Sequence, residues 1–402
     1  MMSEPEAWRG RVRGTPAYRR VLFGLFLAGV ATFAQLYAPQ AVLPLIAHDL
    51  GVSEATSALI ISAATLGLAI GVLPWSLVAD RVGRVRAMIA AVCGATLVGF
   101  AVPFAPTLEL MLAGRFVEGL LIGGVPAVAI AYLAEEIVPE HATRAAGTYI
   151  AGTTIGGLSG RIISGPVAEV LTWQAGIIVV AALCALCAVG FAVLTPQPRG
   201  FVPPRLRTQK ASSVSVRIRA AISDPRLLAL YAQAFLLMGG FVAVYNFLGF
   251  RLMSEPFSLP PTIVSLIFLA YLGGTWSSSW AGALAARFGR RAVLVAGVLV
   301  MVAGVAATMS EQLVLVLAGL IVMTAGFFAA HSIASGWTGA VATVGRAQAS
   351  SLYNLSYYAG SSVFGWLGGI FLAGGGWMGT AIMVIALAAV AVIVAAGMLR
   401  EN

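Results

Sequence analysis

Asp80-Arg81-Val82-Gly83-Arg84 interrupts a long apolar chain after its second hydrophobic run, and Ala286-Arg287-Phe288-Gly289-Arg290 interrupts it after the eighth, 206 residues later. Two further pairs lie at nearly this offset, 205 and 202 residues apart. Leu112-Ala113-Gly114 and Leu317-Ala318-Gly319 open the fourth and tenth runs, while Arg144-Ala145-Ala146-Gly147 and Arg346-Ala347-Gln348-Ala349 open the fifth and eleventh. Three matches at nearly constant spacing indicate an internal duplication.

Between these breaks the chain is too apolar for water. Of its 402 residues 60% are hydrophobic and 10% charged, with a mean hydropathy of +0.95. A soluble domain carries about 45–50% apolar and about 25% charged residues. A membrane helix needs about 20 mostly apolar residues. Candidate spans fall near 21–46, 56–79, 86–105, 107–134, 144–170, 173–195, 226–252, 261–285, 292–309, 312–334, 346–372 and 376–399. The basic start MMSEPEAWRGRVRG precedes a run too long for a signal-peptide core, so the first span is expected to be retained. Cys93, Cys184 and Cys187 sit in apolar runs, and Cys184-x-x-Cys187 has no His, Asp or Glu beside it. They are read as packing, so no disulfide, metal or cofactor is expected.

With twelve spans, both termini and every even-numbered loop share one face. That face collects 21 of the 24 Lys and Arg, from Arg9 through Arg81, Arg84, Arg199, Arg205, Arg207, Lys210, Arg217, Arg287, Arg290 and Arg346 to Arg400. The other face holds only Arg251, with Asp49, Glu54, Glu109, Glu169, Glu255 and Glu311 there or at its edge. Positive charge accumulates on the cytoplasmic side, so the net charge of +9 is a topology signal rather than a nucleic-acid footprint. The expected organisation is a cytoplasmic tail over 1–20, a six-helix bundle over 21–195, a basic linker over 196–225, a second bundle over 226–399 and a cytoplasmic end at 400–402. The linker has five prolines and can lie along an anionic leaflet, with a short amphipathic helix around 214–222. The spans numbered three, six, nine and twelve are nearly free of polar residues and read as lipid-facing. The rest carry polar side chains, which face a bundle interior or water. Trp173 and Trp377 suit interface anchoring.

Ser76-Leu77-Val78-Ala79-Asp80-Arg81-Val82-Gly83-Arg84 resembles the loop signature of the major facilitator superfamily, with Ser76 in place of a Gly. The second copy, Gly282 to Arg291, keeps that Gly but has Ala286 where the acid would stand. Arg115-Phe116-Val117-Glu118-Gly119 is similar to a second pattern of that family, tied in proton-coupled members to coupling, with Glu118 where Gln is usual. The resemblance covers essentially the whole chain and is closest to bacterial drug and sugar efflux permeases. It implies an all-α membrane protein of twelve spans in two pseudo-symmetric six-helix bundles, working without cofactors in the bacterial cytoplasmic (inner) membrane. It also implies that Asp80, Arg81, Gly83 and Arg84, with Arg287, Gly289 and Arg290, act as a conformational gate. A monomer is expected.

The candidate chemistry sits inside the spans. Arg115 and Glu118 are three residues apart and share a helix face. Arg161 lies in the outer half of the fifth span, at a depth where it could meet them. The cluster reads either as a buried ion network holding helices together or as a site for substrate and coupling. On the second reading Glu118, assisted by Arg115 and His331, carries a proton, and its protonation requires a conformation that separates it from the arginines. Gln35, Tyr37, Tyr245, Asn246, Tyr353, Asn354 and Tyr357, with Arg115 and Arg161, form the substrate-binding set, or else bond helix to helix. His331 reads as packing or as a proton relay. Two arginines against one glutamate leave the cavity at +1, which favours an anionic or neutral polar small molecule over a lipophilic cation.

The function this points to is secondary transport of a small organic solute, with proton antiport (efflux) first and proton-coupled uptake of an organic anion as the alternative. A membrane-embedded enzyme is disfavoured because His48, His141 and His331 are scattered with no ligand or nucleophile spacing. A channel is disfavoured because no repeated filter or single-sign ring is present.

Overall fold

The structure, a computed structural model, describes Trp8, residues 10–201 and residues 214–399. Arg9, Arg205, Arg207, Lys210 and Arg400 of the basic face lie outside the described residues, as do the middle of the 196–225 linker and the 400–402 end.

Helices α1 (Pro16–Leu50), α2 (Glu54–Val82), α3 (Arg84–Phe104), α4 (Leu108–Glu136), α5 (Pro139–Val170) and α6 (Trp173–Leu194) form the first bundle. A short helix, Val214–Ser223, matches the expected amphipathic segment. The second bundle comprises α7 (Pro225–Met253), α8 (Pro261–Phe288), α9 (Arg290–Ala307), α10 (Leu313–Val341) and the run Arg346–Met398. That run bends at Gly375 and Gly376, which have non-helical backbone angles, and so forms two spans, α11 and α12. Starts are set locally. Thr15, Ser53, Thr107 and Thr172 accept a bond from the backbone N–H three residues on, satisfying a donor the helix leaves open. Pro139 and Pro225 occupy first-turn positions, where no N–H is needed.

The duplicated loops adopt the same backbone. Gly83 has φ 95° and ψ 152°, and Gly289 has φ 89° and ψ 151°. A side chain is strained in that region, so glycine is the common element the tight turn requires in both halves. Trp173 and Trp377, 204 residues apart, are equivalent in the same sense but are not interface anchors. Both rings are buried, and their indole N–H groups donate to Asp49 Oδ2 at 2.7 Å and Thr308 Oγ1 at 3.1 Å. Trp173 opens its span and Trp377 stands just after the bend, and their partners lie at the ends of the first and ninth spans.

Buried apolar side chains gather within the bundles. One cluster draws on Ala221 to Leu399 and takes in Ala41 and Ala58, and two draw on Tyr18 to Phe191. Large aliphatic residues such as Leu97, Leu186, Val193 and Ile393 point outward on α3, α6 and α12, as a lipid-facing surface requires. Small residues let α5 lie flush on α1: a Cβ at Gly152, Gly156 or Gly160 would strike the backbone carbonyls of Phe26, Val30 and Ala34. Close approach through small residues is the common mode of helix association in lipid. Here it seats the next residue, Arg161, against α1.

Hydrogen bonds between the bundles gather at one end. Ser62 donates to Ser362 O at 2.9 Å, Thr65 and Ser362 share a hydroxyl contact of 2.8 Å, and Ser362 donates to Ser62 O at 3.1 Å. Nearer the loops, Glu169 Oε2 accepts the Thr262 N–H at 2.8 Å, and a Cβ on Gly369 would collide with Ala55. All lie towards the end opposite the termini. Towards the terminal, basic end, Ile150 and Ile155 of α5 and Trp276, Trp280 and Leu284 of α8 are exposed. Among the described residues, the hydrogen bonds between the bundles thus lie away from the basic end.

Candidate functional site

Three groups of polar residues sit between and within the bundles. The first centres on Arg161, which is 2% exposed. Its Nε donates to Gln40 Oε1 at 2.7 Å, Nη1 to Gly157 O at 2.7 Å and Nη2 to Tyr271 Oη at 3.3 Å. Its Cζ lies 4.1 Å from the ring centroid of Tyr37, 4.8 Å from Phe268 and 4.9 Å from Tyr271. Such cation–π contacts strengthen when desolvated. Among the described residues, no carboxylate pairs with it.

Helix breaks position this cage. The first span passes through a 3₁₀ turn at Ala38–Val42, around Pro39, and the eighth through another at Leu266–Ala270. Gln40 lies in the first turn; Phe268 lies in the second and Tyr271 just after it. Interrupted spans commonly border the binding site of a transporter. Gln40 then bridges the bundles: its Nε2 donates to Asn246 Oδ1 at 2.6 Å, and Asn246 Nδ2 donates to Gly365 O at 3.1 Å. A polar chain thus runs from α5 through α1 and α7 to α11.

The second group is Arg115, Glu118 and Gln35. Arg115 Nη1 bonds Glu118 Oε2 at 2.6 Å and Gln35 O at 3.3 Å, Nη2 bonds Leu36 O at 2.6 Å and Nε bonds Ile60 O at 3.2 Å. Glu118 is 1% exposed, and its Oε1 has no hydrogen-bond partner. Gln35 donates to Ala95 O at 2.5 Å. Gly119 lies flush against Ala64, which brings α4 close enough for Arg115 to reach the α2 backbone.

The expected meeting of Arg115, Glu118 and Arg161 does not occur. Axial depth places them together, but rotation about the helix axes separates them. Arg115 approaches α1 at residues 35 and 36, and Arg161 approaches it at residues 37 and 40. They share a stretch of α1 rather than a contact.

The third group lies in the second bundle. Tyr353 Oη contacts His331 Nδ1 at 2.9 Å, the His331 ring is stacked on Phe327 with centroids 5.6 Å apart, and Tyr357 lies 4.9 Å from it. Tyr245 is fully buried behind the cage, bonded to Thr324 at 2.7 Å. Asn354 is exposed on α11, on a different side from Tyr353.

At the basic end Arg84 joins Asp80 at 2.8 Å and Glu135 at 2.9 Å, and its guanidinium lies 5.1 Å from the Phe201 ring centroid. Arg81, Arg287 and Arg290 are exposed, with Arg287 over the ring of Phe288. Beside this loop, buried Glu136 accepts Arg11 Nε at 3.1 Å and the N–H groups of Arg199 and Gly200 at 2.5 and 2.6 Å. The N-terminal segment and the exit of α6 are thereby pinned to the end of α4. The Glu135-Glu136 pair, Tyr271, Phe268 and the bridging role of Gln40 escape a reading of spacing. The cues available are adjacent acids at a span end, and Pro260-Pro261 with Gly273-Gly274 flanking a disturbed helix.

Comparison with known proteins agrees with this architecture. The family model described as Major Facilitator Superfamily matches residues 25–253. The chain is 39% identical to the inner membrane transport protein YnfM of Escherichia coli, over 95% of this chain and 91% of that one. It is 34% identical to the MFS-type transporter YybF of Bacillus subtilis, over 92% and 91%. Its fold is similar to a bacterial homologue of the human lysosomal transporter Spinster, solved in an inward-facing, unoccupied conformation, with TM-score 0.80, 17% identity and coverage of 97% and 99%. A duplicated twelve-span bundle pair, matched over more than half its length by the family model, makes this chain a multi-pass membrane transporter of the major facilitator superfamily.

Proposed function

We propose that the protein exchanges protons for a small anionic or neutral polar organic solute, exporting the solute across the cytoplasmic membrane by alternating access. Both termini lie in the cytoplasm in this reading, which the lysine and arginine bias supports, and the structure is then the inward-facing state. The two bundles, joined by the 196–225 segment, rock about the cage, and the Asp80–Arg84–Glu135 cluster closes the cytoplasmic end in the other state.

The observation that carries the reading is Glu118. Among the described residues, Glu118 and Glu136 are the fully buried carboxylates, and Glu136 sits at a span end with three donors. Glu118 lies mid-span, with one oxygen on Arg115 and the other unpartnered. A proton on Glu118 discharges the ion pair and loosens the grip of Arg115 on the Gln35 and Leu36 carbonyls. Those carbonyls are followed at once by Tyr37 and Gln40, on which Arg161 rests. Coupling between proton and solute therefore runs along residues 35–40 of α1. His331, held by Tyr353 and stacked on Phe327, serves packing.

The test is solute flux in proteoliposomes under an imposed pH gradient. Wild type should move solute against its gradient in exchange for protons, whereas Glu118→Gln should retain exchange but lose the response to ΔpH. Proton-driven accumulation by Glu118→Gln would remove Glu118 from the mechanism. Accumulation in the direction of proton entry would replace antiport by uptake.

A further inference from the structure

A buried charge without a counter-charge is costly, and the neutral acceptors around Arg161 do not cancel it. Arg115 and Glu118 neutralise each other, so the cage carries one uncompensated positive charge. A guanidinium has five N–H donors. Three are engaged, by Gln40, Gly157 and Tyr271, which leaves one on each terminal nitrogen. Those two remain to donate to an anionic group. Tyr37, Phe268 and Tyr271 surround the same group at 4.1 to 4.9 Å from its Cζ. From the cage an unbroken series of ring contacts runs through Phe241 and Phe327 to His331, Tyr357 and Tyr358, with centroids 4.0 to 5.6 Å apart.

We infer that this cage takes the carboxylate of a monoanionic solute whose body is planar and aromatic. The inference rests on Arg161 being a solute-binding group. A single net charge matches a monoanion such as a carboxylate rather than a doubly charged phosphate. Phe241 and Phe327 of this series are core, while Tyr271, His331, Tyr357 and Tyr358 are half-buried and give a flat ring something to stack on.

The experiment is thermal unfolding of the purified full-length protein in detergent with benzoate, acetate, inorganic phosphate or tetraphenylphosphonium. A ligand that binds the folded state raises its Tm. Benzoate should give a saturable rise larger than acetate, with phosphate giving none. Arg161→Lys keeps the charge but loses the planar fork, and should weaken benzoate about tenfold or more, the size of one charge-assisted bond. Tyr271→Leu keeps the charge and removes a ring, so it should weaken benzoate more than acetate; it serves if the lysine variant does not fold. Stabilisation by phosphate or acetate equal to that by benzoate would overturn the aromatic monocarboxylate and leave an anion site standing. Stabilisation by tetraphenylphosphonium alone would overturn both. No shift with any probe overturns the inference.

Discussion

Replacing Asn246 with leucine isolates the bridge between the bundles. Leucine matches asparagine closely in shape but removes two hydrogen bonds, from Gln40 Nε2 at 2.6 Å and to Gly365 O at 3.1 Å. The second lies within one bundle, so both conformations lose it and its effect cancels from the equilibrium between them. The first joins the bundles only while the end opposite the termini is closed. Its loss strands a buried amide donor at about 1–3 kcal/mol, against an open state in which water can solvate that amide. At 1.4 kcal/mol per factor of ten, the balance should move about tenfold to a hundredfold towards opening. Spin labels at exposed Thr172 and Ser254, with exposed Cys93 replaced by serine, report this as growth of a longer-distance population in pulsed dipolar measurements. An unchanged distribution in Asn246→Leu would refute the assignment of the Gln40–Asn246 bond as a latch.

Glu136→Gln should lower Tm and expose the N-terminal segment to protease, because breaking a buried charge pair costs about 3–5 kcal/mol and Arg11 and two backbone N–H groups converge on that carboxylate; an unaltered digestion pattern would count against the pinning. Gly160→Leu should abolish transport and reduce yield of folded protein, because its Cβ would land on the Ala34 carbonyl and push α5, with Arg161, away from α1. Full activity in that variant would show that flush α1–α5 packing is dispensable.

Much of the fold was legible because membrane spans announce themselves. Runs between charges and the repeat at offsets of 202 to 206 both survive in the twelve-span bundle pair. Gly83 and Gly289 share a backbone conformation that a shared residue type already implied. The Arg115–Glu118 pair was legible for the same kind of reason, since three-residue spacing on a helix imposes contact. Arg161 shows where spacing stops. Sequence position fixes depth along a span but not rotation against its neighbours, so a cation expected beside Glu118 turns instead to Gln40 and three aromatic rings. Tyr271 and Phe268 gave no signal of their own, because an aromatic residue in an apolar run looks the same whether it faces lipid, core or a buried guanidinium. Trp173 and Trp377 misled in the opposite direction: their place at span ends suits the interface, but Asp49 and Thr308, at the ends of the first and ninth spans, hold their indoles inside.

Counterflow tests the central claim, a carrier that holds its solute by a negative group at Arg161, most directly. Proteoliposomes loaded with unlabelled benzoate are diluted into a trace of labelled benzoate. Wild type should show a transient overshoot of internal label, and Arg161→Gln, matched for folded protein, should show none. Simple equilibration without overshoot in wild type, or an undiminished overshoot in Arg161→Gln, would contradict the account.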